Sequence, residues 1–215
     1  MYQPAHFRED RLDVQHDLIR RHPLGLLITA ASGGLMANPI PFALDAAASE
    51  HGTLRAHLSR ANPQVQELAV APECLIVFQG PQAYITPAWY ATKGETGKVV
   101  PTWNYATVHA WGRPRLIEDP RWLLDQLHEL THHQEGARSS PWQVSDAPET
   151  YIAAQLKGIV GIEIVIERIE GKWKVSQNRP EQDRRGVFDG LREQGEAAND
   201  MAELVARYGK LEENA

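Results

Sequence analysis

Cysteine is nearly absent from this sequence, since Cys74 is the single cysteine among 215 residues. One thiol excludes an intrachain disulfide and any all-cysteine metal site. Because Cys74 begins the apolar run at 74–78, we expect it to be a small core residue rather than a reactive thiol.

Long apolar runs are also missing. No stretch approaches the roughly 20 residues that are needed to cross a bilayer. The first residues, Met1 to Pro4, lack the charged and apolar regions of a signal peptide. We therefore expect a cytoplasmic protein without membrane contact, and an ordinary composition, 42% hydrophobic and 23% charged, indicates a globular fold.

Basic residues are outnumbered, with 22 Lys and Arg against 28 Asp and Glu and a net charge of -6. Non-specific DNA affinity depends on basic surface that neutralises phosphates. The pair Arg184-Arg185 is diluted by Glu181, Asp183 and Asp189, which is typical of a solvated helix face. Charge therefore disfavours direct DNA binding, and no helix-turn-helix pattern supports it.

Nucleotide-binding motifs are absent as well, because no Gly-x-Gly-x-x-Gly follows a strand and no phosphate-binding Gly-Lys-Ser/Thr occurs. One catalytic pattern is present: His-Glu-x-x-His at 128–132 would place two imidazoles of one helix on zinc. The longer metalloprotease pattern requires glycine and histidine where this chain has Glu135 and Arg138. We therefore predict no metal site.

Local patterns predict short strands and a few helices. Apolar periodicity and the cap-and-proline pairs Asn62-Pro63 and Asp119-Pro120 mark the helices. Alternation between turn residues marks the strands. The predicted helices are 7–22, 63–70, 119–134 and 183–209. The predicted strands are 24–31, 35–44, 52–58, 74–79, 82–86, 103–117 and 159–169, the last returning through a Gly171-Lys172 turn as a hairpin with 173–175.

Strands interrupted by helices without a regular alternation favour an α+β fold, namely an antiparallel barrel with peripheral helices. The length suits one medium domain. We predict a single domain over residues 1–215, with an N-terminal helix and a C-terminal helical extension from about 180 to 215.

The segment from Tyr84 to His109 is the most informative. Core strands avoid prolines and solvated loops avoid large exposed aromatics, yet this segment has both. Aromatic faces can stack on a planar ring, while lysines, hydroxyls and loop amides hold anionic oxygens. The segment therefore predicts a binding loop for a flat aromatic ligand that carries a phosphate, and a dimer contact made by the same aromatics is the alternative. Its candidate residues are Trp89, Tyr90, Lys98, Thr102, Trp103 and Asn104.

Two further polar clusters accompany this loop. Alternation along the strand at 52–58 places Arg55, His57 and Ser59 on one face, and Arg60 and Asn62 follow toward a helix N-terminus. These groups could hold a phosphate, although an ordinary buried or surface histidine would give the same pattern at His57.

The second cluster follows the strand that ends near Val175. Its polar residues Ser176, Gln177 and Arg179 supply donors that suit the carbonyl edge of a ring. A strand that merely leads into a capped helix would look similar.

Taken in order, these strings resemble the PaiB family along nearly the whole chain. The resemblance rests on Tyr84 to Tyr90, on Gly97 to Tyr105 with Val108-His109, on Arg55 to Pro63 and on Lys174 to Arg179. The string Lys-Val-Val-Pro-Thr-Trp-Asn-Tyr, from Lys98 to Tyr105, is long and unusual.

The resemblance implies the FMN-binding split β-barrel that pyridoxamine phosphate oxidases and flavin reductases share, and a homodimer with FMN between the subunits. If FMN binds, we expect Arg55, His57, Ser59 and Lys98 at its phosphate and Trp89, Tyr90, Trp103 and Asn104 around its ring. Ser176, Gln177 and Arg179 are expected at the polar edge of the ring, with Arg60, Asn62 and Thr102 as further cofactor contacts.

The family takes its name from a negative regulator of sporulation and protease synthesis. The resemblance therefore implies either a flavin-dependent reductase or a redox-linked negative regulator of transcription. One alternative is a regulator that acts without flavin chemistry. Another is a haem-binding relative with His57 or His109 as an axial ligand. No catalytic acid or base is assigned.

Overall fold

The computed structural model describes residues 1–31 and 33–211. The chain forms two compact units. The first consists of Met1–Gln15, Gln79–Val108 and Glu170–Ala215, and the second of His16–Phe78 and His109–Ile169. The single domain over 1–215 stays a prediction, and residues 212–215 of its C-terminal extension lie outside the described residues.

The secondary structure is mixed. Within the described residues the strands are β1 (Arg8–Glu9), β2 (Leu24–Ala31), β3 (Gly34–Pro41), β4 (Ala43–Asp45), β5 (Thr53–Ser59), β6 (Cys74–Ile85), β7 (Thr102–Gly112), β8 (Pro114–Ile117), β9 (Ile159–Val165) and β10 (Arg168–Lys174). The helices there are α1 (Leu12–Arg21), α2 (Gln64–Leu68), α3 (Thr92–Thr96), α4 (Pro120–Glu135), α5 (Glu149–Leu156), α6 (Glu181–Glu193) and α7 (Glu196–Gly209). None of the described helices is both long and apolar enough to cross a bilayer.

The second unit contains an antiparallel four-stranded sheet in the order β4-β5-β9-β8. Its core face is apolar, with Leu54 and Ala56 of β5 fully buried. Helix α4 packs directly on β9 at Gly161, where an added Cβ would lie 2.3 Å from the indole of Trp122. Only glycine permits this close approach of helix and strand.

A β-hairpin in the same unit pairs β2 with β3 in one register from Leu24 opposite Pro41 to Ala31 opposite Gly34. Gly34 has a φ of 106°, the left-handed region that glycine adopts without strain. Strand β6 pairs with the other edge of β2, where Leu26 lies opposite Val77. The buried side of this sheet includes Leu27 and Ile76, both fully inaccessible.

The first unit is built on β1, β10, β7 and β6, adjacent in that order. Strand β1 pairs with β10, so that Arg8 lies opposite Lys172. Helices α6 and α7 form the C-terminal part, and a break at Gly195, with a φ of 85°, separates them. The predicted helical tail is therefore two helices.

Four strand predictions are wrong in detail. The predicted strand 35–44 is broken at Phe42 into β3 and β4, which belong to different sheets. The predicted strands 74–79 and 82–86 form one strand, β6. Pro81 lacks an N–H group, but it lies beyond Val77, where the pairing of β6 with β2 ends, so it breaks no hydrogen bond to β2. The predicted strand 103–117 is broken at Arg113 into β7 and β8. The predicted hairpin at 159–175 does not form, since β9 and β10 belong to different sheets.

Most other predicted elements are confirmed, including the strand 24–31 and helix α4, whose first turn Asp119 caps by accepting a hydrogen bond from the Arg121 N–H. The predicted helix 7–22 is shorter, since α1 begins at Leu12. Cys74 is buried, as expected, and burial raises the pKa of its thiol to about 12, with Glu73 as a lesser cause. The α+β class with antiparallel sheets is confirmed.

Candidate functional site

A small cleft lies in the first unit, where the start of β7 meets the end of β10. We call it the Tyr90 cleft. It has a volume of about 60 Å³, far below the roughly 300 Å³ or more of a pocket that encloses a whole cofactor. It therefore fits one edge of a ligand. The residues that line it are Phe7, Tyr90, Thr102, Asn104, Lys174, Ser176, Asn178 and Arg179.

The cleft is positively charged. The Nζ of Lys174 donates to the Thr102 hydroxyl at 2.5 Å and to the Trp103 carbonyl. Burial lowers the pKa of Lys174, and the nearby Lys172 and Arg179 lower it further. Within the described part of the chain, no carboxylate lies within ion-pair distance of Lys174 or Arg179. The two cations are therefore available to a negatively polarised ligand group.

Tyr90 supplies an unused polar group. Its side chain is 3% exposed, and its hydroxyl has no hydrogen-bond partner among the described residues. The Arg179 guanidinium lies over the ring, 4.7 Å from its centroid. Burial raises the pKa of Tyr90, and Asp183 adds to the rise. Arg179 offsets part of it through its charge and through a contact with the hydroxyl that falls short of ordinary hydrogen-bond geometry, and the net rise keeps the hydroxyl protonated at neutral pH. Buried hydroxyls are nearly always paired with protein or with ordered water, so this hydroxyl is a candidate partner for a water or a ligand group in the cleft.

Asn104 and Ser176 form the floor of the cleft. Asn104 Nδ2 donates to Ser176 Oγ at 2.9 Å, and both side chains are buried. Ser176 has a φ of 66°, a left-handed conformation that non-glycine residues rarely adopt. Gln177 faces away from the cleft and closes the turn, because its Oε1 accepts from the Val175 N–H and its Nε2 donates to the Trp173 carbonyl.

The other predicted loop residues lie outside the Tyr90 cleft. Trp89 packs against helix α6, where Cβ atoms added to Gly186 or Gly190 would lie 2.0 Å from its carbonyl oxygen or 2.3 Å from its indole. The side chain of Trp103 is 54% exposed, and its ring meets the ring of Tyr84 edge-on, with 6.0 Å between the two ring centroids. It projects from the opposite face of β7 to Thr102 and Asn104. Lys98 is exposed.

The predicted phosphate cluster lies in the second unit. Arg55, His57 and Ser59 alternate on the more exposed face of β5, as predicted. The Arg55 guanidinium, however, lies within 4 Å of three carboxylates, those of Asp45, Glu163 and Glu129, at 3.3, 3.4 and 3.8 Å. A phosphate at Arg55 would meet these acidic groups, so the predicted role of Arg55 competes with an ion-pair network.

The remaining cluster residues also have protein partners. His57 Nδ1 lies 2.7 Å from Gln126 Oε1, and Arg60 pairs with Glu118 at 2.6 Å. Ser59 Oγ accepts from the Ala61 N–H, and Asn62 Oδ1 accepts from the N–H of Gln64, the first residue of α2. Their contact with a cofactor phosphate stays a prediction.

Sequence reasoning missed three residues of the Tyr90 cleft: Phe7, Lys174 and Asn178. Lys174 and Asn178 stand inside the polar string that drew attention to 176–179, and a lysine between the buried Trp173 and Val175 was a usable signal. Phe7 gave no local signal, because only the pairing of β1 with β10 brings the N-terminus to this edge.

The His-Glu-x-x-His pattern lies on α4, where Glu129 is one of the partners of Arg55. Among residues 1–31 and 33–211, no group of three His, Cys, Asp or Glu side chains is arranged to hold a metal ion.

Comparison with solved structures identifies the class of fold. The chain superposes on a conserved hypothetical protein from Mycobacterium tuberculosis with a TM-score of 0.57 at 13% identity, covering 84% of this chain and 94% of that one. It also superposes on an FAD- and haem-binding protein from Mycobacterium smegmatis with a TM-score of 0.56 at 14% identity, covering 78% and 73%. The fold is the split β-barrel with peripheral helices, as predicted.

Comparison of sequences identifies the family. The profile described as "Putative FMN-binding domain" matches residues 1–168. The protease synthase and sporulation protein PAI 2 of Bacillus subtilis is 31% identical over 95% of this chain and 96% of its own. An uncharacterised protein of Emericella nidulans is 38% identical over 99% of both chains. The chain belongs to the FMN-binding domain family that includes PAI 2, which confirms the resemblance read from the sequence.

Proposed function

We propose that this protein is an FMN-dependent oxidoreductase that holds the polar edge of the isoalloxazine ring in the Tyr90 cleft. The observation that carries the proposal is the unpaired hydroxyl of Tyr90, buried beside two cations that no described carboxylate neutralises. Membership of the FMN-binding domain family supports the choice of a flavin.

The donor set of the cleft suits that edge, which alternates carbonyl acceptors with an N–H donor. Lys174 and Arg179 can only donate, whereas the hydroxyls of Tyr90 and Ser176 can donate or accept. When bound, FMN would supply hydride or electron transfer. The two cations would then favour the anionic reduced form of the ring, which raises its reduction potential.

The phosphate end is proposed to contact Lys98, which belongs to the same unit as the Tyr90 cleft. If this is correct, Lys98→Ala weakens FMN binding but leaves riboflavin binding unchanged, since riboflavin lacks the phosphate. Full FMN affinity in this variant would show the phosphate assignment to be wrong.

We further propose that the protein is a homodimer. The outward face of the β2–β3 hairpin carries Leu24, Leu26, Ile28, Ala30, Leu35, Ala37, Pro39 and Pro41. This face bears no charge, and Leu35 is 81% exposed. A contiguous, exposed, uncharged face marks a protein interface. A second copy of the chain offers a matching uncharged surface through a two-fold axis.

The dimer is tested by light scattering on Leu26→Lys and Leu35→Lys proteins, with Val70→Lys as the control because Val70 is similarly exposed outside this face. We expect the first two variants to be monomeric and the control to remain dimeric. A monomeric wild type, or dimeric variants, would refute the interface.

The cofactor is tested by the visible spectrum of the purified protein, followed by mass identification of any released chromophore. We expect flavin bands and about one FMN per chain. Lys174→Met should weaken binding and lower the flavin potential, whereas Lys157→Met, which changes an exposed lysine, should do neither. A Soret band would favour the haem alternative. A colourless protein that takes up no flavin and binds promoter DNA with a steep salt dependence would favour the regulator.

A further inference from the structure

Trp89 sits on a flat surface of α6 that two glycines create. Gly186 and Gly190 are four residues apart and therefore lie on the same face of the helix. An added Cβ on Gly186 would lie 2.0 Å from the Trp89 carbonyl oxygen, and one on Gly190 would lie 2.3 to 2.4 Å from three atoms of the indole. The helix thus contacts both the backbone and the ring of Trp89. We call this face the glycine seat.

Thr92, which follows Trp89 by three residues, is held by the same helix. Asp183, only 1% exposed, accepts hydrogen bonds from the Thr92 N–H at 3.0 Å and from the Thr92 hydroxyl at 2.8 Å. Tyr90 lies between these two anchors in the chain. Its backbone on either side is therefore fixed by α6 and not by a strand.

The Tyr90 side chain is held from the same direction. Arg179, just before α6, covers its ring, and Arg184 of α6 donates to the Arg179 carbonyl at 3.0 Å. Contacts from α6 and from the segment just before it thus hold Tyr90 on both sides in the chain and across its ring, in addition to its backbone hydrogen bonds with Pro87 and Lys93.

We propose that the glycine seat is a positioning device for the ligand site: Trp89 does not stack on the cofactor but locks Tyr90 so that its hydroxyl faces the bound ligand. This inference rests on the proposed function for the identity of the ligand. It differs from the sequence prediction, which placed Trp89 at the ring. The proposal also gives Trp89 and the glycines Gly186 and Gly190 one shared role, although they lie far apart in the sequence.

The first test needs no ligand. The protein is labelled with 3-fluorotyrosine, and the Tyr90 fluorine resonance is assigned by its loss in Tyr90→Phe. Gly190→Ala should shift or broaden this resonance, because the indole must move. Gly94→Ala is the matched control, since a Cβ there meets no atom within 4 Å. An unchanged Tyr90 resonance in Gly190→Ala would overturn the proposal whether or not FMN binds.

The second test measures coupling through FMN affinity. Gly190→Ala and Tyr90→Phe should each weaken FMN binding about tenfold, as expected for one lost hydrogen bond. The double variant should be no weaker than the weaker single variant, because both changes remove the same contact. Additive losses would show that the seat acts independently of Tyr90 and would overturn the proposal.

A folding defect must be separated from a positioning defect. If Gly190→Ala does not fold, Trp89→Phe replaces it in both tests, since it leaves a gap at the seat instead of a clash. A wild-type protein that binds no FMN would refute the proposed function, while the fluorine spectrum would still decide whether the seat positions Tyr90.

Discussion

Replacing Tyr90 by phenylalanine should stabilise the ligand-free protein and weaken its ligand binding at the same time. The hydroxyl is buried without a partner, and such a group costs about 1 to 3 kcal/mol of folding free energy. Removing it should therefore stabilise the protein by about 1 kcal/mol. For a chain of this length that corresponds to a rise in Tm of about 2 to 4 °C.

If FMN binds as proposed, the same substitution removes a hydrogen bond to it, so FMN affinity should fall about tenfold. Opposite effects on stability and on binding are characteristic of a polar group kept for function. The assays are urea denaturation of the ligand-free protein and fluorescence titration with FMN.

Tyr208→Phe is the matched control. The Tyr208 hydroxyl donates to Glu9 and accepts from Arg11 at 3.0 Å, so its removal should cost about 1.5 to 3 kcal/mol of stability and spare FMN affinity. The reasoning is refuted if Tyr90→Phe destabilises the protein by as much as Tyr208→Phe, or if it leaves FMN affinity unchanged.

Three further predictions concern stability and reactivity. Burial raises the pKa of Glu9, but hydrogen bonds from Arg11 and Tyr208 outweigh it and leave the pKa below its usual value of 4.5. Glu9 therefore contributes stability above that pH which is lost as the pH falls through the lowered pKa, and acid denaturation of Glu9→Gln should show a flatter pH dependence. Gly112→Ala places a Cβ 2.1 Å from the Val165 carbonyl oxygen and should cost about 1 to 3 kcal/mol in urea denaturation, whereas Gly94→Ala, in helix α3 with open space at its Cβ, should not destabilise the protein. Cys74, with a pKa of about 12, should react with a thiol reagent at pH 8 only after denaturation, and rapid labelling of the native protein would contradict its burial.

Local chemistry explains which elements the sequence predicted well. Helix α4 depends on the cap and proline at Asp119-Pro120, and the β2–β3 hairpin on a glycine turn, so each signal lies within a few residues of its effect. The turn predicted at Gly171 was wrong because the role of this glycine depends on a residue far away in the sequence. It lies inside β10, where a Cβ would be 2.7 Å from the Glu9 carbonyl oxygen, so the glycine serves a close approach between strands and not a turn.

The residues of the candidate site also divide into those with a local sequence signal and those whose role depends on distant residues. The polar string at 176–179 and the residues Tyr90, Thr102 and Asn104 were recognisable by their chemistry, and five of the predicted residues line the cleft. The role of Trp89 was not recognisable, because it depends on glycines about a hundred residues later in the chain. Gln177 has the right chemistry for a ligand contact, yet the local turn uses both ends of its amide.

The family profile ends at residue 168, whereas Lys174, Ser176, Asn178 and Arg179 supply half of the cleft. Two homologues can therefore match the same profile over its full length and still differ in the groups that line this cleft. Sequence comparison within the family therefore needs the residues after 168 as well as the profile. A shortened gene that retained only the profile would lose nearly all of β10 and both C-terminal helices, and with them four of the eight residues that line the Tyr90 cleft.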